Sequence, residues 1–141
     1  MSGIPVVYWS GTGNTAAMAE AVAKGIGSAG KEAELIEAAS FDAADVSKYD
    51  AIAFGCPAMG DEELEEDFME PLFSACEDKI RGKRIALFGS YDWGDGEWMR
   101  TWEDRVSNAG GEMVADGVIA NNEPGDDELR ACEDLGVRIA Q

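Results

Sequence analysis

IPVVYWSGTGNT, residues 4–15, is the stretch whose reading decides the fold. Ile4, Val6, Val7, Tyr8 and Trp9 form a short run of β-branched and aromatic residues, with Pro5 near its start, where a strand tolerates proline. Gly11 and Gly13 follow at once, and then the period changes: Ala17, Met18, Ala21, Val22 and Ile26 recur at helical spacing. The pattern predicts a strand over 4–9, a tight turn over 10–15 and a helix over 14–29, with Gly27 and Gly30 as stop signals. A strand that passes through a glycine turn into a helix opens a βαβ unit.

The same alternation continues along the chain. EAELIEA (32–38) reads as a second strand, and 41–48 carries a weak signal for a single helical turn. DAIAFGC (50–56) is a third strand. A helix over 63–78 would turn Leu64, Phe68, Leu72, Phe73 and Cys76 inward, with Pro71 shortening or kinking it. KRIALFGS (83–90) is a fourth strand, 97–109 a helix with Trp98, Trp102 and Val106 on one face, 112–121 a fifth strand and 126–140 a closing helix. The third and fourth strands are continuously apolar, as strands covered on both faces are. The expectation is α/β with a parallel sheet and right-handed crossovers. Ligands of such sheets sit outside the carboxyl ends of the strands, which directs attention to the loops after the first, third, fourth and fifth.

Composition narrows the function. The 141 residues include 11 basic and 29 acidic side chains, a net charge of −18. That excludes the basic footprint of a nucleic-acid binder and a polybasic membrane anchor. Histidine is absent, which removes histidine-dependent triads and most catalytic metal sites. Cys56, Cys76 and Cys132 are far apart and form no CxxC, so a zinc or iron–sulfur centre is not expected; reduced, buried thiols in a cytoplasmic protein are. No run approaches the ~18 apolar residues of a membrane span, and no signal peptide is visible. The length predicts one domain.

Three loops carry the chemistry. Ser10, Gly11, Thr12, Gly13, Asn14 and Thr15 offer turn glycines, hydroxyl and amide donors and a helix N-terminus, with no Lys or Arg before Lys24. Such a loop holds a phosphate through dipoles and hydrogen bonds. It lacks the lysine of GxxxxGK[ST]; it does match GxGxx[GA] through Gly11, Gly13 and Ala16, with Glu37 as a ribose acid, so alone it stays ambiguous with a dinucleotide turn or a plain helix cap. After the third strand stands GCPAMGDE (55–62), and residues 61–70 carry seven carboxylates. Its plainer reading is a capping loop with Asp61 and Glu62 favouring a helix N-terminus. SYDWGDGEW (90–98) places Trp93 among turn residues where no core needs it, a candidate for stacking on a planar ligand.

Together VVYWSGTGNT (6–15), GCPAMGDEELEE (55–66) and ALFGSYDWGDGEWM (86–99), with NNEP (121–124) in support, resemble the flavodoxin family in its short-chain, clostridial-type branch, over essentially the whole chain. The resemblance implies one FMN-binding domain over 1–141. Its fold would be a flavodoxin-like three-layer sandwich: a five-stranded parallel sheet of order 2-1-3-4-5 with helices on both faces. It implies a low-potential one-electron carrier that binds FMN non-covalently and shuttles between semiquinone and hydroquinone. Such a carrier serves redox proteins in place of ferredoxin and has no substrate turnover of its own. By the same resemblance, Ser10, Gly11, Thr12, Gly13, Asn14 and Thr15 hold the FMN phosphate. Pro57, Ala58, Met59, Gly60, Asp61 and Glu62 border the ring. Met59 covers its inner face and Trp93 its outer, the Gly60–Asp61 peptide reorients on reduction, and Glu62 bonds the ring N3–H. Backbone groups of Ser90, Tyr91, Asp92, Trp93 and Gly94 meet the pyrimidine edge, and Asn122 lies near the ribityl chain. Two positions depart from the family. Pro57 has neither N–H nor hydroxyl for the phosphate, and Asp92 stands where relatives commonly have glycine.

Charge then sets an expectation for the potential. A carboxylate ~10 Å from an anionic ring costs ~1.7 kcal/mol at an effective dielectric of ~20, and ~1.4 kcal/mol is ~59 mV for one electron. Acids left unpaired over 49–78 would drive the second potential strongly negative. The partners implied are redox proteins with basic docking patches, namely ferredoxin or flavodoxin reductases and low-potential oxidoreductases, meeting a monomer. Three competing readings remain at this point. An NAD-binding module would have too few strands. A receiver domain lacks its aspartate, since Cys56-Pro57 ends the third strand. The third is a small FMN-dependent NAD(P)H:quinone reductase-like enzyme.

Overall fold

The computed structural model describes residues 3–59, 63–92 and 94–141. In chain order these form β1 (Gly3–Tyr8), α1 (Asn14–Ser28), β2 (Glu32–Glu37), 3₁₀ turns at Ala38–Ser40 and Ala43–Lys48, β3 (Ala51–Gly55), α2 (Met69–Cys76), β4 (Arg84–Tyr91), α3 (Glu97–Asn108), β5 (Glu112–Met113), β6 (Val118–Asn121) and α4 (Asp126–Ile139). Every strand pairing is parallel. The order is β2-β1-β3-β4-β5, with β6 also against β4.

Side chains alternate between two cores, one on each face of this sheet. Val7, Ile52, Phe54, Ile85 and Leu87 face Phe73 of α2 and Trp98 and Trp102 of α3. Val6, Ala53, Ala86 and Phe88 face Met18, Val22 and Ile26 of α1 and Leu135 and Ile139 of α4. The second face uses small strand residues, and its helices touch backbone to backbone. A methyl group at Gly25 would lie 1.9 Å from the Glu133 carbonyl, and one at Gly136 2.1 Å from that of Val22. Burying both tryptophans at 1% exposure anchors the α3 side. The three cysteines are unpaired and buried; burial pushes the Cys56 thiol up to about 12.

Two elements depart from the sequence reading. The helix expected over 63–78 is only Met69–Cys76. Pro71 explains the late start: it lacks an N–H and its ring clashes with the carbonyl four residues earlier, so it fits in a first turn and nowhere deeper. Leu64 is still buried, but Phe68 is 47% exposed rather than inward. The fifth strand is split. Ile85 pairs with Met113 and Phe88 with Val118, so Ala86 and Leu87 of β4 face four residues, 114–117. Gly117 is drawn instead to α3, where its N–H donates to Glu103 Oε2 at 2.6 Å, and a side chain there would strike Met99.

Candidate functional site

The carboxyl ends of β1, β3, β4 and β6 enclose a cleft of about 310 Å³. Gly11, Thr12, Asn14 and Thr15 line one end, Pro57, Ala58 and Met59 a second wall, and Ser90, Tyr91, Asp92 and Asn122 a third. Trp9, the first residue past β1, completes it. Gly60, Asp61, Glu62 and Trp93 lie outside the described residues.

The loop after β1 holds itself with one side chain. Ser10 Oγ accepts from Gly13 N–H at 3.1 Å and from Ala16 N–H at 3.2 Å. Gly13 caps α1 with φ 96°, a left-handed conformation suited to glycine. The first turn of α1 contains no acidic residue; Ala16 N–H is taken by Ser10 and Ala17 N–H by the Gly13 carbonyl, and no carboxylate of its own caps Asn14 or Thr15. Thr15, 1% exposed, shares a hydrogen bond with the Ser90 hydroxyl at 2.8 Å, tying the loop to β4. Ser10 and Gly13 shape the loop from outside the cleft wall.

The loop after β3 is held from several sides. Cys56 N–H donates to Phe88 O at 3.1 Å, and Ala58 N–H to Ser90 O at 2.9 Å. Met59 and Glu63 exchange two backbone hydrogen bonds, at 2.8 and 2.9 Å. Glu65, 3% exposed, accepts from the N–H groups of Asp67, Phe68 and Met69 at 2.8, 2.8 and 2.9 Å. These are the orphan donors at the start of α2. Farther along α2, Arg105 of α3 bridges Glu70 and Glu77, each at 2.8 Å, and its guanidinium lies 5.0 Å from the Phe73 ring centroid. Burial pushes the Glu70 carboxyl up, but hydrogen bonds from Arg105 and Ser74 and the Arg105 charge outweigh it and hold the group below its usual range.

Several site expectations change on this geometry. The acids over 49–78 are not all unpaired. Glu65 is spent on the α2 cap, Glu70 and Glu77 on Arg105, and Asp78 on Lys79 at 3.0 Å. Glu63, Glu66 and Asp67 remain near the site, in a groove of about 260 Å³ that also touches Trp9 and Met59. The Ser90 and Tyr91 carbonyls each already accept one hydrogen bond, from Ala58 N–H at 2.9 Å and from Asn122 N–H at 2.6 Å, which ties the cleft's third wall to its neighbours. Gly94, with φ 92°, lies outside the cleft wall. Asn122 does face the cleft, in a left-handed conformation at φ 59°. From the sequence, Tyr8 and Trp9 could each be core or ring-adjacent; the fold puts Trp9 in the cleft wall, directly after the first strand at the sheet's carboxyl edge. Glu37, the ribose acid of the dinucleotide reading, is exposed and away from the cleft.

The family model described as flavodoxin matches residues 6–136. The chain belongs to the flavodoxin family. The flavodoxin of Clostridium beijerinckii is 46% identical over 135 residues, covering 96% of this chain and 97% of that protein. The Megasphaera elsdenii flavodoxin is 41% identical over 138 residues, 98% of each. The solution structure of that protein, two-electron reduced, matches this fold with a TM-score of 0.88 at 42% identity, covering 97% of this chain and 98% of the other. The sheet order is that of a flavodoxin, and the chain is an FMN-binding electron carrier. Among the described residues no helix is long and apolar enough to cross a membrane, and no cluster of potential ligands is placed to hold a metal ion.

Proposed function

We propose that this flavodoxin-family chain carries single electrons at low potential, in place of ferredoxin, with FMN seated in the cleft described above. One observation carries the reading: the cleft joins the acid-free N-terminus of α1 to a wall of Trp9, Met59 and Tyr91. The first end suits a phosphate, because N–H groups and the helix dipole favour an anion there. The second suits a flat aromatic ring. The cleft's size falls within the ~300–1,000 Å³ of small-molecule sites. FMN, when bound, supplies the redox chemistry.

The protein's part is binding and electrostatics. Thr12, Asn14 and the first N–H groups of α1 would hold the phosphate, with Ser10 and Gly13 keeping the loop in shape. Met59 and Trp93 would cover the two ring faces, and Gly60, Asp61 and Glu62 would border the ring's edge. Asp92, an exposed carboxylate in the cleft wall, adds negative charge there. Glu63, Glu66 and Asp67 add more beside it. Charge of that sign disfavours a further electron and steers the chain, as a monomer of the cytoplasm, to basic patches on redox proteins.

The test is anaerobic stepwise titration of the FMN-loaded protein with a reductant, followed by visible absorption. Two well-separated one-electron waves, the second at much lower potential, are expected. A single two-electron wave with steady NAD(P)H-to-quinone turnover would instead support a reductase. Failure to take up FMN would overturn the site assignment.

A further inference from the structure

The carboxylate of Glu65 is the unusual group outside the cleft wall. It is one of few buried ionisable side chains among the described residues, and it holds a segment rather than a ligand. Oε1 accepts from Phe68 and Met69, Oε2 from Asp67, and Glu65's own N–H donates to Cys56 Sγ at 3.3 Å. Cys56 is the last residue before the loop, and its N–H is fixed to β4. Glu65 therefore ties the limb at 63–65 back to Cys56 at the end of β3. The limb before Met59 is tied to β4 through Ala58. The limb after it, through Glu63 and Leu64, is tied by the Met59–Glu63 bridge and by Glu65. Met59 sits between them, 39% exposed and in the cleft wall.

We propose that Glu65 is a positioning residue for FMN: its cap on α2 fixes the limb at Glu63 and Leu64 and, through the Met59–Glu63 bridge, holds Met59 in the cleft wall that receives the ring, and its effect on the cofactor runs through that geometry rather than through its charge. The inference rests on the FMN site proposed above. Physically, loosening the second limb lowers the fraction of apoprotein in the receiving conformation, and apparent affinity falls by that fraction. Charge and geometry are separable because the two oxygens have unequal work. Glu65→Gln removes the charge yet keeps an oxygen for Phe68 and Met69; Glu65→Ala removes both. Glu66→Gln removes an exposed neighbouring charge with no cap attached.

The experiment measures FMN dissociation constants by fluorescence quenching, both midpoint potentials, and the melting temperature of each apoprotein, for wild type and these three variants. The cap predicts Glu65→Ala to bind FMN about tenfold more weakly, the size of a lost helix cap near 1.4 kcal/mol, with Glu65→Gln about threefold or less. The second potential should move further in Glu65→Ala than in Glu65→Gln. Equal shifts in Glu65→Ala, Glu65→Gln and Glu66→Gln would mean that charge alone acts. A lower melting temperature with unchanged affinity and potentials would mean that Glu65 only stabilises α2. Either result overturns the proposal while leaving the FMN site intact. A wild-type protein that takes no FMN would overturn the site reading itself and this inference with it.

Discussion

At the end of β1 the chain turns on one neutral side chain, Ser10, whose hydroxyl accepts from Gly13 and Ala16. At the end of β3 the turn closes on a buried carboxylate, Glu65, which fills the donors of the next helix. The two helices that follow therefore offer opposite termini. The first turn of α1 has no acid, and its dipole with the Asn14 and Thr15 N–H groups is met by no carboxylate among the described residues; the start of α2 is already saturated by Glu65. The difference favours the N-terminus of α1 over that of α2 for the phosphate of the proposed FMN site. It also explains how one cleft combines an anion site with an acidic rim: the acids nearest α2 are consumed by the fold, and Glu63, Glu66, Asp67 and Asp92 are left around the opening.

Four changes probe this contrast. Gly89→Ala should have the largest effect, because its methyl group would sit 2.1 Å from the Cys56 carbonyl, backbone that cannot swing aside. Overpacking at the root of the β3 loop should cost about 3 kcal/mol in urea unfolding of the apoprotein. A cost under about 1 kcal/mol would show that this root is softer than its contacts imply.

Arg105→Ala should cost about 1–2 kcal/mol, chiefly from the lost stacking on Phe73 and stem packing, because half-exposed ion pairs contribute little. Its pH dependence has a definite sign. The folded-state Glu70 carboxyl lies below its ordinary 4.5. Its stabilisation is therefore complete above that value and is lost as acid takes the pH down through the folded value. The gap between wild type and Arg105→Ala should be widest near neutral pH and narrow in acid by the small ion-pair share alone, the packing share remaining. Parallel curves down to pH ~3 would show that Glu70 owes its shift to something other than Arg105.

Ser10→Ala removes the acceptor for two N–H groups and should cost about 1 kcal/mol, with weaker FMN binding. If FMN affinity is untouched, the β1 loop is held by Thr15 and Ser90 rather than by Ser10. The smallest effect belongs to Asp92→Gly. Removing one exposed carboxylate from the cleft wall should raise the second midpoint potential by some tens of millivolts (~30 mV) at low salt, shrinking as salt rises. An unchanged potential at low salt would place Asp92 too far from the ring to act on it.

Much of the architecture was legible because local and tertiary signals agree in it. The apolar runs within 50–56 and 83–90 suit strands covered on both faces, and glycine turns after strands mark the cleft edge. The α2 region was less legible because local signals conflict there. Leu64, Phe68 and Leu72 keep helical spacing, yet Pro71 forbids the turns before Met69, and Glu65 caps the shorter helix instead. In the β1 loop the hydroxyls of Ser10 and Thr15 looked like ligand donors. Ser10 serves its own loop, and Thr15 serves Ser90. The Thr15 hydroxyl is written in the sequence; its pairing with Ser90 is not, because that partner lies 75 residues away.

By itself the sequence determined the element order, the parallel sheet, the loops that bear function and the negative sign of the molecule, since periodicity, turn chemistry and formal charge are properties of neighbours along the chain. Tertiary structure alone decided the rest. It split the fifth strand by drawing Gly117 to Glu103, brought Trp9 into the cleft, and sorted the carboxylates into those bound by Arg105 and α2 and those left around the opening. The reason is the range of the interactions. A hydrogen bond or ion pair acts over a few ångströms, so which acid is free depends on what the fold packs beside it.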